Sequence, residues 1–172
     1  RSKYFIPDPW IKNQQPKNFF LKKIYNALSE AVNKNSGSKI SFQSKLFIFI
    51  SFVVFLRKKF LFKVSYLLFK SLKNKWCKAL IFDFLLNEIH IKFFKKYKTD
   101  FSTIFFNAGA HIQHHYLNNS NVINNTKNPE WYVEKSIDPV FETYIFYDEL
   151  INEYLKMKNI SLLIATGLTQ KP

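Results

Sequence analysis

From Ser41 to Tyr97 the chain has neither Pro nor Gly, and lysines punctuate an otherwise apolar stretch. A run of this length without a breaker is a helical signal, and the segments from about 41 to 72 and from about 74 to 97 read as two long helices packed as a hairpin. Within the first, the eleven residues Leu46 to Leu56 are apolar apart from Ser51, and Arg57-Lys58-Lys59 follows at once. A bilayer span needs about 20 apolar residues, so this run is too short to cross a membrane. Two readings of the hairpin stay open. It is a helical cap whose apolar stripe packs on its own core, or residues 41 to 98 lie on an anionic membrane surface, where Lys-flanked Phe and Leu suit headgroups and acyl chains.

The net charge of +14 follows the same division. Residues 1 to 100 carry 21 Lys and Arg against 5 Asp and Glu, whereas residues 101 to 172 carry 5 against 7. A basic chain invites a nucleic-acid partner, but 24 of the 26 basic residues are Lys. Arg, whose planar fork pairs bidentately with phosphate and guanine, occurs only at Arg1 and Arg57, which argues against that partner. The joint excess of Lys, Asn, Ile and Phe is what an AT-rich coding sequence yields. An apolar share of 47% excludes global disorder, and the lone Cys77 excludes a disulfide scaffold. No signal-peptide pattern follows Arg1, so a cytoplasmic setting is favoured, with the chain expected to be a piece of a longer protein.

Three segments follow from the patterning. Residues 1–40 hold an extended Pro-containing start and a helix from Asn18 to Asn33, with Phe19, Phe20, Ile24, Leu28 and Val32 at helical spacing and Asn35-Ser36-Gly37-Ser38 ending it. Residues 41–99 are the Lys-rich hairpin. Residues 100–172 change character: Ser102 to Phe106 is a β-branched and aromatic run that predicts a buried strand, and Asn107-Ala108-Gly109-Ala110 turns into a helix. Asp138-Pro139 predicts a helix start, with Asp as N-cap and Pro at the first position. A helix to about Lys158 and a strand from Ile160 to Ala165 then complete a strand, helix, strand unit, which implies an α/β fold with parallel strands.

Three of the four histidines, His111, His114 and His115, fall within five residues just beyond the first predicted strand. Spacings of three and four place imidazoles on one helical face, where His111 and His114 can chelate zinc or a similar divalent ion, with Asn107 contributing a carbonyl oxygen or orienting a ligand. The same spacing also suits a turn in which one histidine packs and the others are solvated. Asp83, Asp100 and Asp138 read as structural carboxylates, and Cys77 as a core thiol.

The stretch from Asp83-Phe84-Leu85 through Ser102-Thr103-Ile104-Phe105-Phe106-Asn107 to Gln113-His114-His115-Tyr116 resembles the alkaline phosphatase superfamily, in its type I phosphodiesterase and nucleotide pyrophosphatase branch. The resemblance implies part of an α/β/α sandwich with a helical cap insertion, and a fragment of a metal-dependent hydrolase of phosphate esters, phosphodiesters or related anionic esters such as sulfates. It also implies a nucleophile upstream of Arg1 and zinc at His111, His114 and Asn107. The chain departs from the family's pattern where Asn107 or Ala110 stands for a metal-binding Asp, and where Thr166-Gly167-Leu168-Thr169 stands for Ser-Asp-His-Gly. The alternative function is a noncatalytic helical module that binds an anionic membrane surface or a protein partner through residues 41 to 98.

Overall fold

The computed structural model describes residues 3–7, 13–33, 39–123 and 127–166. Among them the secondary structure is helical throughout: α1 (Phe19–Asn33), α2 (Phe42–Phe55), α3 (Leu61–Lys73), α4 (Cys77–Tyr97), α5 (Ala108–Tyr116) and α6 (Pro139–Leu155), with short 3-10 turns at Lys58–Phe60 and Leu117–Asn119. The chain forms two compact units, one of residues 1–61 and 85–105, the other of residues 62–84 and 106–172.

The expected α/β sandwich, and with it the alkaline phosphatase-like architecture, is therefore corrected to an all-helical one. The two runs that carried the expectation pair with no strand among the described residues. A β-branched run becomes a strand only when a neighbouring chain segment accepts its backbone hydrogen bonds, and propensity cannot supply that partner. Residues 102–106 lie between α4 and α5 as irregular chain, and residues 160–166 end α6 as an extended segment with Leu163 exposed. Residues 35–38, expected to end the first helix, and residues 167–169, which stand where the resemblance implies a Ser-Asp-His-Gly motif, lie outside the described residues.

In the first unit, Asn18 starts α1 by accepting the backbone N–H of Leu21 at 3.0 Å, and Ser41 starts α2 by accepting that of Ser44 at 3.2 Å. Leu21, Ile24 and Leu28 of α1, Phe55 of α2 and Leu85 and Ile89 of α4 are buried apolar side chains of this unit. The single helix expected over 41–72 breaks at Arg57, whose backbone is extended at φ −74°, ψ 135°. The cause is buried Glu88: its carboxylate accepts the Arg57 backbone N–H at 3.1 Å and holds the guanidinium at 2.6 and 2.9 Å. A backbone N–H drawn to a carboxylate is lost to the helical ladder.

In the second unit, Asp138 caps α6 by accepting the N–H of Phe141 at 2.9 Å, with Pro139 at the first helical position, as the sequence predicts. Phe84 of α4, Ile112 of α5 and Leu150 of α6 are fully buried. Lys63 and Lys70 of α3 are ion-paired with Glu149 and Glu142 of α6.

Candidate functional site

The histidines that the sequence singled out lie on α5, in the second unit. His111 is half-buried, His114 and His115 are exposed, and the ring centroids stand 4.7 Å apart for His111 and His115 and 5.2 Å apart for His114 and His115. Burial, and then the charge of His115 and His114, hold His111 below the ordinary histidine range. Asn107 precedes the helix, its carbonyl accepting the His111 N–H at 3.2 Å. Among the described residues no group of three or more His, Cys, Asp or Glu is placed to hold a metal ion. Zinc takes four ligands, so the imidazoles present fall short of the set the resemblance implies, and no chemistry through a metal is derived from them.

A buried carboxylate of the same unit, Asp83 of α4, is engaged in building the start of α5. Its oxygens accept the backbone N–H groups of Asn107 at 3.3 Å and Ala108 at 2.9 Å, and the Tyr147 hydroxyl at 2.7 Å. That hydroxyl in turn accepts the Gly109 N–H at 2.6 Å. Burial lifts the Asp83 carboxyl to about 6, against the opposing pull of these three donors. Cys77 is fully buried, which pushes its thiol up to about 11 and leaves it a poor nucleophile.

The first unit contains a cavity of about 750 Å³ that the sequence did not point to. On its wall His90 Nε2 lies 2.7 Å from Ser102 Oγ, and the Tyr4 hydroxyl lies 3.0 Å from the same oxygen. His90 sits on α4 and Ser102 in the irregular chain after it. Tyr4 is held by stacking on Phe93 and Tyr97, with centroids 5.1 and 5.9 Å away. Burial pushes the His90 imidazole down to about 4, so it is neutral at neutral pH. No local motif marks this group, because its three members are brought together only by the fold.

A second feature concerns α2, which is apolar around most of its circumference, so that it buries one side and leaves an apolar face outside. Its buried residues are Phe55 and the two serines Ser44 and Ser51, whose hydroxyls donate to Glu30 and to the Phe47 carbonyl. Its opposite face carries Phe42, Leu46, Phe49 and Val53 at helical spacing, with Phe42 82%, Phe49 65% and Val53 70% exposed. In the second unit α3 shows a similar outward stripe of Phe62, Tyr66, Phe69 and Leu72, while Val64, Leu67 and Ser71 face inward. No helix among the described residues is long and apolar enough to cross a membrane. Compared with known protein families, curated proteins and solved structures, the chain has no significant match.

Proposed function

We propose that the chain is a helical module that docks on an anionic membrane surface, with α2 lying in the interface plane. The observation that carries this reading is the exposed apolar face of α2. Apolar side chains left in water are costly at about 25 cal/mol per Å², so a helix that exposes Phe42, Leu46, Phe49 and Val53 along one face, beyond what it packs inward, is adapted to a second apolar phase on its outer side. Charge selects that phase. Lys39, Lys45, Lys58 and Lys59 of the same unit are exposed, and each lysine near an anionic headgroup layer contributes about 1 kcal/mol. A 14-residue helix is about 21 Å long, which suits lying in the interface rather than crossing it.

Co-sedimentation of the full chain with vesicles tests this. Binding is expected to phosphatidylcholine vesicles containing phosphatidylserine, weakening about tenfold or more on pure phosphatidylcholine or in 0.5 M salt. Equal binding to both vesicle types, or none to either, overturns the proposal. So does self-association in lipid-free solution that is abolished by Phe49→Glu, since α2 would then be covered by a second copy.

A further inference from the structure

We infer that Ser102 and His90 form a nucleophile and general-base pair for the hydrolysis of a carboxylic ester with an apolar acyl group, bound in the cavity of the first unit. The inference rests on the geometry of that cavity and is independent of the docking reading. A serine hydroxyl is a weak nucleophile unless a base removes its proton as it attacks, and the base must lie within about 2.6–3.2 Å. His90 Nε2 meets this at 2.7 Å.

A neutral imidazole whose Nε2 is unprotonated accepts the Ser102 proton, and the Tyr4 hydroxyl at 3.0 Å is then the donor to Ser102 Oγ. Tyr4 thus acts as a positioning residue: it fixes the lone-pair direction of the oxygen, and it is itself fixed by its stack on Phe93. Thr99 lines the same cavity, and its hydroxyl is buried with no hydrogen-bond partner among the described residues. A buried hydroxyl left unpaired is costly, and a turn of this side chain toward the cavity would pair it with the carbonyl oxygen of a bound ester. The wall also carries Lys3, Lys98 and Asp100, and its apolar part, Phe5, Ile6, Leu86, Ile89 and Ile104, suits an apolar acyl group.

The reaction balances without a further reagent. Ser102 Oγ attacks the ester carbonyl as its proton passes to His90 Nε2, and the tetrahedral adduct collapses as the alcohol leaves with that proton. Water then attacks the acyl-serine, giving its proton to Nε2, and Ser102 Oγ departs and recovers it as the acid is released. Because burial keeps His90 unprotonated well below neutral pH, the pair stays in its reactive protonation state into the acid range.

The test is reaction of the full chain with an alkyl fluorophosphonate, mapping of the adduct by mass spectrometry, and turnover of p-nitrophenyl butyrate. The adduct is expected on Ser102, at a rate that holds steady from about pH 8 to about pH 5 and falls below that as His90 protonates. Ser102→Ala removes labelling and turnover, and His90→Gln, which retains a hydrogen-bonding side chain but no base, lowers both by about 100-fold or more. The parent adduct needs no variant to fold. An adduct on another residue, no adduct, or parent-like turnover in a variant of normal helix content overturns the inference.

Discussion

Glu88 holds Arg57 at three points: Oε1 accepts Nη2 at 2.6 Å, and Oε2 accepts Nε at 2.9 Å and the backbone N–H at 3.1 Å. The Glu88 side chain is fully buried and that of Arg57 is 26% exposed, so the carboxylate depends on this one partner's fork for most of its compensation. Arg57→Ala is expected to lower the unfolding free energy by about 3 kcal/mol in urea titrations, because it strands a buried charge. Arg57→Lys recovers only part of that loss, since an ammonium cannot reproduce two parallel N–H donors. Replacing both residues with Met is expected to cost less than Arg57→Ala alone, and a double variant worse than the single would refute this account.

That pair also shows where the sequence stops being legible. Asp138 and Pro139 announce the start of α6 because a cap acts on residues three positions away, within reach of local reading. The break at Arg57 has its cause 31 positions away in Glu88, and no periodicity in 41–72 records it. Ser102 to Phe106 has strand composition, but a strand is a property of two segments, and the described residues supply no second one. His111, His114 and His115 stood out because clustering is visible in one dimension. His90, Ser102 and Tyr4 did not, because they meet only after α4 and the chain around it have folded.

Asp83 gives the protein a pH dependence of unusual sign. Its folded value, about 6, lies above the unfolded value of 3.8, so the folded state holds the proton more tightly between those limits. The stability it contributes is present at low pH and is lost as pH rises through the window from about 4 to 6. His90 acts oppositely, with a folded value of about 4 below its ordinary 6.5, so whole-protein pH profiles mix the two. Comparing variants separates them: the unfolding free energy lost in Asp83→Asn is expected to be about 2 kcal/mol larger at pH 4.5 than at pH 7.5. A difference of zero or of opposite sign refutes the assignment.

Gly109 is fixed by the same network. A Cβ built there would stand 2.8 Å from Tyr147 Cε2, a ring atom of the side chain that also bonds Asp83 and the Gly109 N–H. Gly109→Ala must therefore displace Tyr147 and break both hydrogen bonds, at an expected cost of about 1–3 kcal/mol. In a Tyr147→Ala background the obstruction is gone, and Gly109→Ala is expected to be neutral or mildly stabilising, because alanine gives up less backbone freedom than glycine in the first turn of α5. Chemical denaturation of the four proteins of this cycle gives the coupling energy directly. Equal costs in the two backgrounds would place the role of Gly109 elsewhere.

The exposed apolar face of α2 separates folding from docking. Phe42, Phe49 and Val53 point away from the core, so Phe49→Ser removes no packing, and unfolding free energy is expected to change by about 0.5 kcal/mol or less. Ser51, by contrast, is fully buried with its hydroxyl bonded to the Phe47 carbonyl at 2.6 Å, so Ser51→Phe forces a ring into closed space and is expected to cost more than about 2 kcal/mol. In an ordinary amphipathic helix the ranking would be the reverse, with the phenylalanine holding the fold and the serine free to change. Thermal or urea unfolding of Phe49→Ser and Ser51→Phe in lipid-free buffer measures the ranking. If Phe49→Ser proves the more damaging, α2 packs by its aromatic face in solution and is not the membrane-facing element.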